Sequence, residues 1–203
     1  MTLLAVLPML LSAVQPFSLQ QPTLSAEHEA QVERLKAAGA DVRVELAEDR
    51  KTTEIWIDYN GAITPQKVEL ISGLTPLTAL RFLQSDLNDK MLGKLKNLPN
   101  LWLLVIISPK ITDEGLTHVA NMSGLKKLDL NRMTLSARGL RKLEKLKKLK
   151  RLYLYNAKVT DTDLLALKRL TWLELLDLPP SAGDRLLDEL RRSLPNTKVE
   201  RGP

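Results

Sequence analysis

Apolar residues recur along this chain with a period of 24. Leu80, Leu104, Leu128, Leu152 and Leu176 are evenly spaced, as are Phe82, Ile106, Leu130, Leu154 and Leu178. Five further columns keep the same register, running from Ile63 to Val159, Val68 to Leu164, Ile71 to Leu167, Leu74 to Leu170 and Leu77 to Leu173. A polar column, Thr64, Asn88, Thr112, Ser136, Thr160 and Asp184, shares the spacing. Every member has a side-chain oxygen suited to accept from a free N–H at a helix start. Pro65 follows Thr64 at the first helical position, where a missing N–H costs nothing. After each cap, apolar residues come at steps of three to four, as in Leu116, Val119 and Met122, which predicts a one-sided helix of about two turns. A short Leu-x-Leu alternation then predicts a strand with its leucines on one face.

Each unit is thus strand, turn, capped helix and return loop, and one unit cannot enclose its own leucines. Stacked units bury them between a parallel sheet and a row of helices. The predicted class is an α/β solenoid with a concave sheet and convex helices. Its repeats span residues 54–182. Before them, Ser25 is placed to cap a helix over Glu27 to Ala38, with Gly39 as its stop. Val42, Val44 and Leu46 then alternate, a charged turn follows, and Ile55 and Ile57 open the next strand. Residues 25–53 therefore read as a helix and hairpin strand covering the first sheet edge. An extra residue between Ile57 and Ile63 is expected to shift the first unit out of register. At the other end, residues 183–203 read as a closing helix through Leu187, Leu190 and Leu194, followed by a final strand.

The string LKKLDLNRMTLSARGLRKLEKLKKL, Leu125 to Leu149, resembles a leucine-rich repeat of the cysteine-containing, ribonuclease-inhibitor-like type. ITDEGLTHVANMSGL, Ile111 to Leu125, resembles that type's turn-plus-helix half. The resemblance covers about residues 53 to 199 and extends to small exported bacterial leucine-rich repeat proteins. It implies a leucine-rich repeat solenoid. The family's Asn or Cys after the strand is replaced by Ser85, Pro109, Met133, Ala157 and Ser181, so no such ladder is expected.

Composition narrows the chemistry. Leucine supplies 44 of 203 residues, which the repeat accounts for, and there is no cysteine. Disulfides, thiolate zinc sites, iron–sulfur clusters and thioester chemistry are therefore excluded from this chain. His28 and His118 leave little for a metal site or a nucleophile–base pair, and both read as surface residues. No phosphate-binding glycine loop, nucleophile elbow or zinc-protease string is present. No enzyme, cofactor or metal is expected. All 54 charged residues lie from Glu27 onward, and Leu3 to Val14 is an uncharged apolar stretch interrupted soon after by Gln15 and Pro16. That pattern is too short for a transmembrane span and predicts a signal peptide over residues 1–22, hence export.

Function is expected where strand residues face away from the leucines. The middle row is Arg81, Val105, Asp129, Tyr153 and Asp177, preceded by Trp56; beside it run Leu83, Ile107, Asn131, Tyr155 and Pro179, and Ala79, Leu103, Lys127, Arg151 and Leu175. Leu83, Leu103, Val105 and Ile107 form an apolar cluster near the two tyrosines, with charges between, a composition suited to a protein or peptide partner. The alternatives are a substrate-recognition adaptor of the F-box leucine-rich repeat kind and polyanion binding through the basic run Arg141 to Arg151. The leucines of that run occupy core columns and no aromatic platform interleaves with its lysines, so nucleic acid is not the expected partner.

Overall fold

The computed structural model describes residues 23–48, 52–95 and 97–202. The expected signal peptide, and Asp49 to Lys51 of the hairpin turn, lie outside them. Eight strands form one sheet in chain order: β1 (Asp41–Leu46), β2 (Thr53–Asn60), β3 (Leu77–Leu83), β4 (Leu103–Ile107), β5 (Lys127–Asn131), β6 (Arg151–Tyr153), β7 (Leu175–Leu178) and β8 (Lys198–Arg201). The first pair is antiparallel and every later pair parallel. From β3 to β7 each residue pairs with the one 24 positions on, as Leu80 with Leu104 and Leu104 with Leu128. The helices are α1 (Ala26–Ala37), α2 (Pro65–Ser72), α3 (Asp89–Leu92), α4 (Asp113–Val119), α5 (Ala137–Lys142), α6 (Asp161–Leu164) and α7 (Asp184–Ser193). This is an α/β leucine-rich repeat solenoid.

All seven apolar columns point into the core, and only Val159 is merely half-buried. The caps form as well. Ser25, Thr64, Asn88, Thr112, Ser136 and Thr160 each accept a backbone N–H at their helix start. Asp184 does not. It is the first residue of α7, whose cap position is Gly183 with no side-chain bond. A carboxylate one place into the helix still meets the exposed N–H groups favourably.

The helix starts are also tied to one another. The Asp89 carboxylate accepts from the N–H and Oγ1–H of Thr112, one repeat ahead. Asp113 does the same for Ser136, and Asp161 accepts from the N–H of Gly183. The recipient helices make room with glycine: a Cβ on Gly115 or Gly139 would run into the carboxylate of Asp89 or Asp113. Where Ala137 interrupts the acidic series, Asp163 reaches back to donor Ala137 N–H at 2.8 Å.

The first unit departs from the frame in the opposite sense to the sequence expectation. Ile57 pairs with Leu80, 23 positions on, whereas Ile63 and Leu87 are 24 apart, so this unit is one residue shorter there. The register also breaks between Ile55 and Trp56, where β3 bulges at Thr78. The Thr78 hydroxyl replaces the lost ladder bonds, accepting from Ile55 N–H and donating to Ile55 C=O.

A candidate binding surface on the concave sheet

The bulge resets the rows of the concave face. Arg81 pairs with Asp58, and Trp56 pairs with Ala79. The middle row is therefore Asp58, Arg81, Val105, Asp129, Tyr153, Asp177 and Glu200, and Trp56 belongs to the row beside it, with Ala79 and Leu103. Asp58 was missed because an extra residue was expected in the first unit, which set Trp56, 25 positions back, before Arg81, whereas the true partner lies 23 back; its signal was the acid two places after Trp56 in an alternating strand.

The N-terminal third of the face is internally satisfied. Arg81 makes a two-bond ion pair with Asp58, which also receives Arg43 at 3.3 Å. The paired carboxylate holds the Arg81 guanidinium above its usual range. Arg43 lies over the Trp56 ring, and Trp56 meets Trp102 edge-to-face at 5.6 Å between centroids. Trp102 lies one residue before β4, and Ala79, which stands between Trp56 and Leu103 in the row, is 0% exposed although it lies outside the core cluster. Leu103, in the same row, is likewise only 5% exposed. The expectation that it contributes to an open apolar surface is corrected: it is buried in the row that begins with Trp56 and Ala79.

Leu83, Val105 and Ile107 remain half-exposed, a short apolar strip at the centre. Beyond it the face becomes acidic. Asp129, Tyr153 and Asp177 stand side by side on β5, β6 and β7, all half-buried. One carboxylate oxygen of each aspartate, and the Asn131 side-chain oxygen, is closed off from solvent without a hydrogen-bond partner among the described residues. Burial, opposed by Lys127 and reinforced by Asp177, pushes the Asp129 carboxyl up to about 6. Burial and Glu200 also raise Asp177. Lys127 Nζ stands 5.0 Å from the centre of the Tyr153 ring. Tyr155 falls outside the strands, because β6 ends at Tyr153 and the chain turns through Asn156 at φ 52°. Its ring lies against Gly202, at the end of the face, rather than beside Ile107.

On the convex side three of the seven cations of the basic run, Arg141 to Arg151, are engaged within the chain. Lys142 donates to the Asp113 carbonyl and to Thr117 Oγ1, Lys147 lies over Trp172, and Lys150 pairs with Glu174. His118 is half-buried rather than openly exposed, since it leans across Gly93 of the preceding repeat. It lines a cleft of about 590 Å³ with Leu98, Met122 and Gly124. Among the described residues no helix is long and apolar enough to cross a membrane.

Solved structures share this architecture. An internalin (inlF) from Listeria monocytogenes superposes with a TM-score of 0.53 at 25% identity, over 65% of this chain and 36% of that one. An internalin C2 (inlC2) from the same organism gives a TM-score of 0.48 at 22% identity, over 66% of this chain and 56% of that one. The chain thus spans little more than a third and little more than half of these two structures. No family model and no curated protein sequence matches it.

Proposed function

We propose that the protein is a non-enzymatic binding module that holds a protein or peptide partner against its concave sheet, and that it acts after export. One observation carries the reading. Parallel sheets are ordinarily covered on both faces, yet here the face opposite the helices leaves Leu83, Val105 and Ile107 half-exposed on the same surface as Tyr153. Apolar and aromatic side chains rimmed by charge are suited to anchor a partner. Lys142, Lys147 and Lys150 of the convex run are already engaged within the chain, which favours a protein over a polyanion.

Replacing Ile107 with Asp and Tyr153 with Ser should leave the fold intact, because neither side chain belongs to the core cluster. A partner captured from the native cells by the wild-type protein should then bind at least thirtyfold more weakly, about 2 kcal/mol. Changing Lys142 and Lys145 to Glu should leave that partner bound. If the convex pair releases it and the concave pair does not, the functional face is misassigned. Export is supported by the uncharged apolar stretch from Leu3 to Val14. Mass spectrometry of the native protein should find an N-terminus between about residues 14 and 26; an intact Met1 on cytoplasmic protein would refute it.

A further inference from the structure

The concave face differs between its two halves. At its N-terminal end the charges are matched, Arg81 and Arg43 on Asp58, and the centre is apolar. Across β5 to β7 the face presents acceptors: Asp129 and Asp177 flank the Tyr153 ring, and Asn131 lies two residues along from Asp129. One oxygen of each aspartate and the Asn131 oxygen are closed off, with no partner among the described residues, so the second carboxylate oxygens are the ones open to a ligand. Adjacent strands are about 4.8 Å apart, so the two carboxylates stand about 10 Å apart with a π-face between them.

We infer that this half of the surface receives a cationic side chain, an arginine or lysine carried on an extended peptide segment of the partner, between Asp129 and Asp177 over Tyr153. The inference rests on the concave face being the binding surface and names the chemistry of what it binds. The chain shows that a cation fits there, because Lys127 already stands over the ring. Lys127 is an internal placeholder, reaching in from the neighbouring row. Of the other cations near this end, Lys198 pairs with Glu200, and the exposed Arg151 lies in the Lys127 row. An arriving guanidinium pairs with the carboxylate oxygens that are not closed off, in a partly dehydrated site where charge-assisted bonds are strong, and gains the attraction of the ring face. Burial has already raised both carboxyls, and a cation offsets that cost. Apolar residues flanking the cation then fall on Val105 and Ile107.

The probe is an acetylated, amidated hexapeptide alternating threonine and valine around one central arginine, titrated into the full chain while backbone amides are followed by NMR. Saturable shifts are expected in β5 to β7, with affinity at least tenfold lower when citrulline or glutamate replaces the arginine. The double variant Asp129→Asn, Asp177→Asn should lose at least tenfold, and Lys127→Met should bind the arginine peptide more tightly. Equal binding of arginine and citrulline peptides, no saturable shift, or weaker binding by Lys127→Met overturns the inference. The native partner separates the two levels of the argument. If the Ile107/Tyr153 variant releases it and the Asn pair retains it, the binding face stands and the cation site fails. If neither releases it, the face itself is wrong and the inference falls with it.

Discussion

Asp129 keeps a carboxylate half-buried in a sheet, and the cost is visible in its titration. Its folded value of about 6 lies above the ordinary carboxyl range, so between about pH 4 and 6 the native state holds a proton that the unfolded chain releases. Its contribution therefore runs opposite to that of a paired acid. It destabilises the fold above pH 6, and the penalty disappears as the pH falls towards 4. Asp129→Asn should accordingly raise stability at pH 7.5, by about 1–3 kcal/mol, and give no advantage at pH 4. Urea melts of both proteins at the two pH values check this; an equal gain at both would mean that ionisation is not the cause. Residue identity was legible here and environment was not. Asp129 was placed on the concave face by alternation alone, but nothing local marks an oxygen as closed off, since that depends on neighbours 24 and 48 positions away.

At the scale of the element, two kinds of position define each repeat. Leu128 is fully buried in a central column, and truncation to Ala should cost about 2–5 kcal/mol through lost burial and the cavity left behind. Thr112 caps α4 and also donates to Asp89, so Thr112→Ala should cost less, about 1–2 kcal/mol. Urea melts returning the reverse order would show the repeat frame to be misplaced. The frame was readable because periodicity is a property of the one-dimensional string, and 34 of the 35 column positions lie fully in the core. Asp113 and Asp161 read in sequence as favourable company for a helix dipole. Their part in joining repeats escaped, because acceptor and donor are 22 or 23 positions apart. The glycine two places after a helix-starting aspartate, as in Asp113 and Gly115, was the available signal.

For the whole molecule, what was hardest to read lies where regularity ends. The bulge at Thr78 moved Trp56 by one row, and Ala79 and Leu103 beside it are buried on a surface that counting had left open. The same irregularity sets what the face offers: a matched, covered beginning, an apolar centre and an acidic end.

The linked helix starts imply that the repeats are keyed parts, not interchangeable bricks. Excising residues 113–136 removes one full period and joins Thr112 to Ala137. Asp89 would still hold Thr112, Gly139 would stand where Gly115 stood, and Asp163 would still reach Ala137. Excising residues 137–160 removes the same length but brings Asp163 to the place of Gly139, where the Asp113 carboxylate leaves no space for a side chain. Both shortened chains lose one nearest-neighbour interface, yet the second should be the less stable by about 1–3 kcal/mol, the scale of an overpacked contact. Thermal melts of the two would read the difference; equal midpoints would mean that the key does not bind its lock. A lineage changing the length of such an array would therefore be free to cut at one joint and constrained at the next.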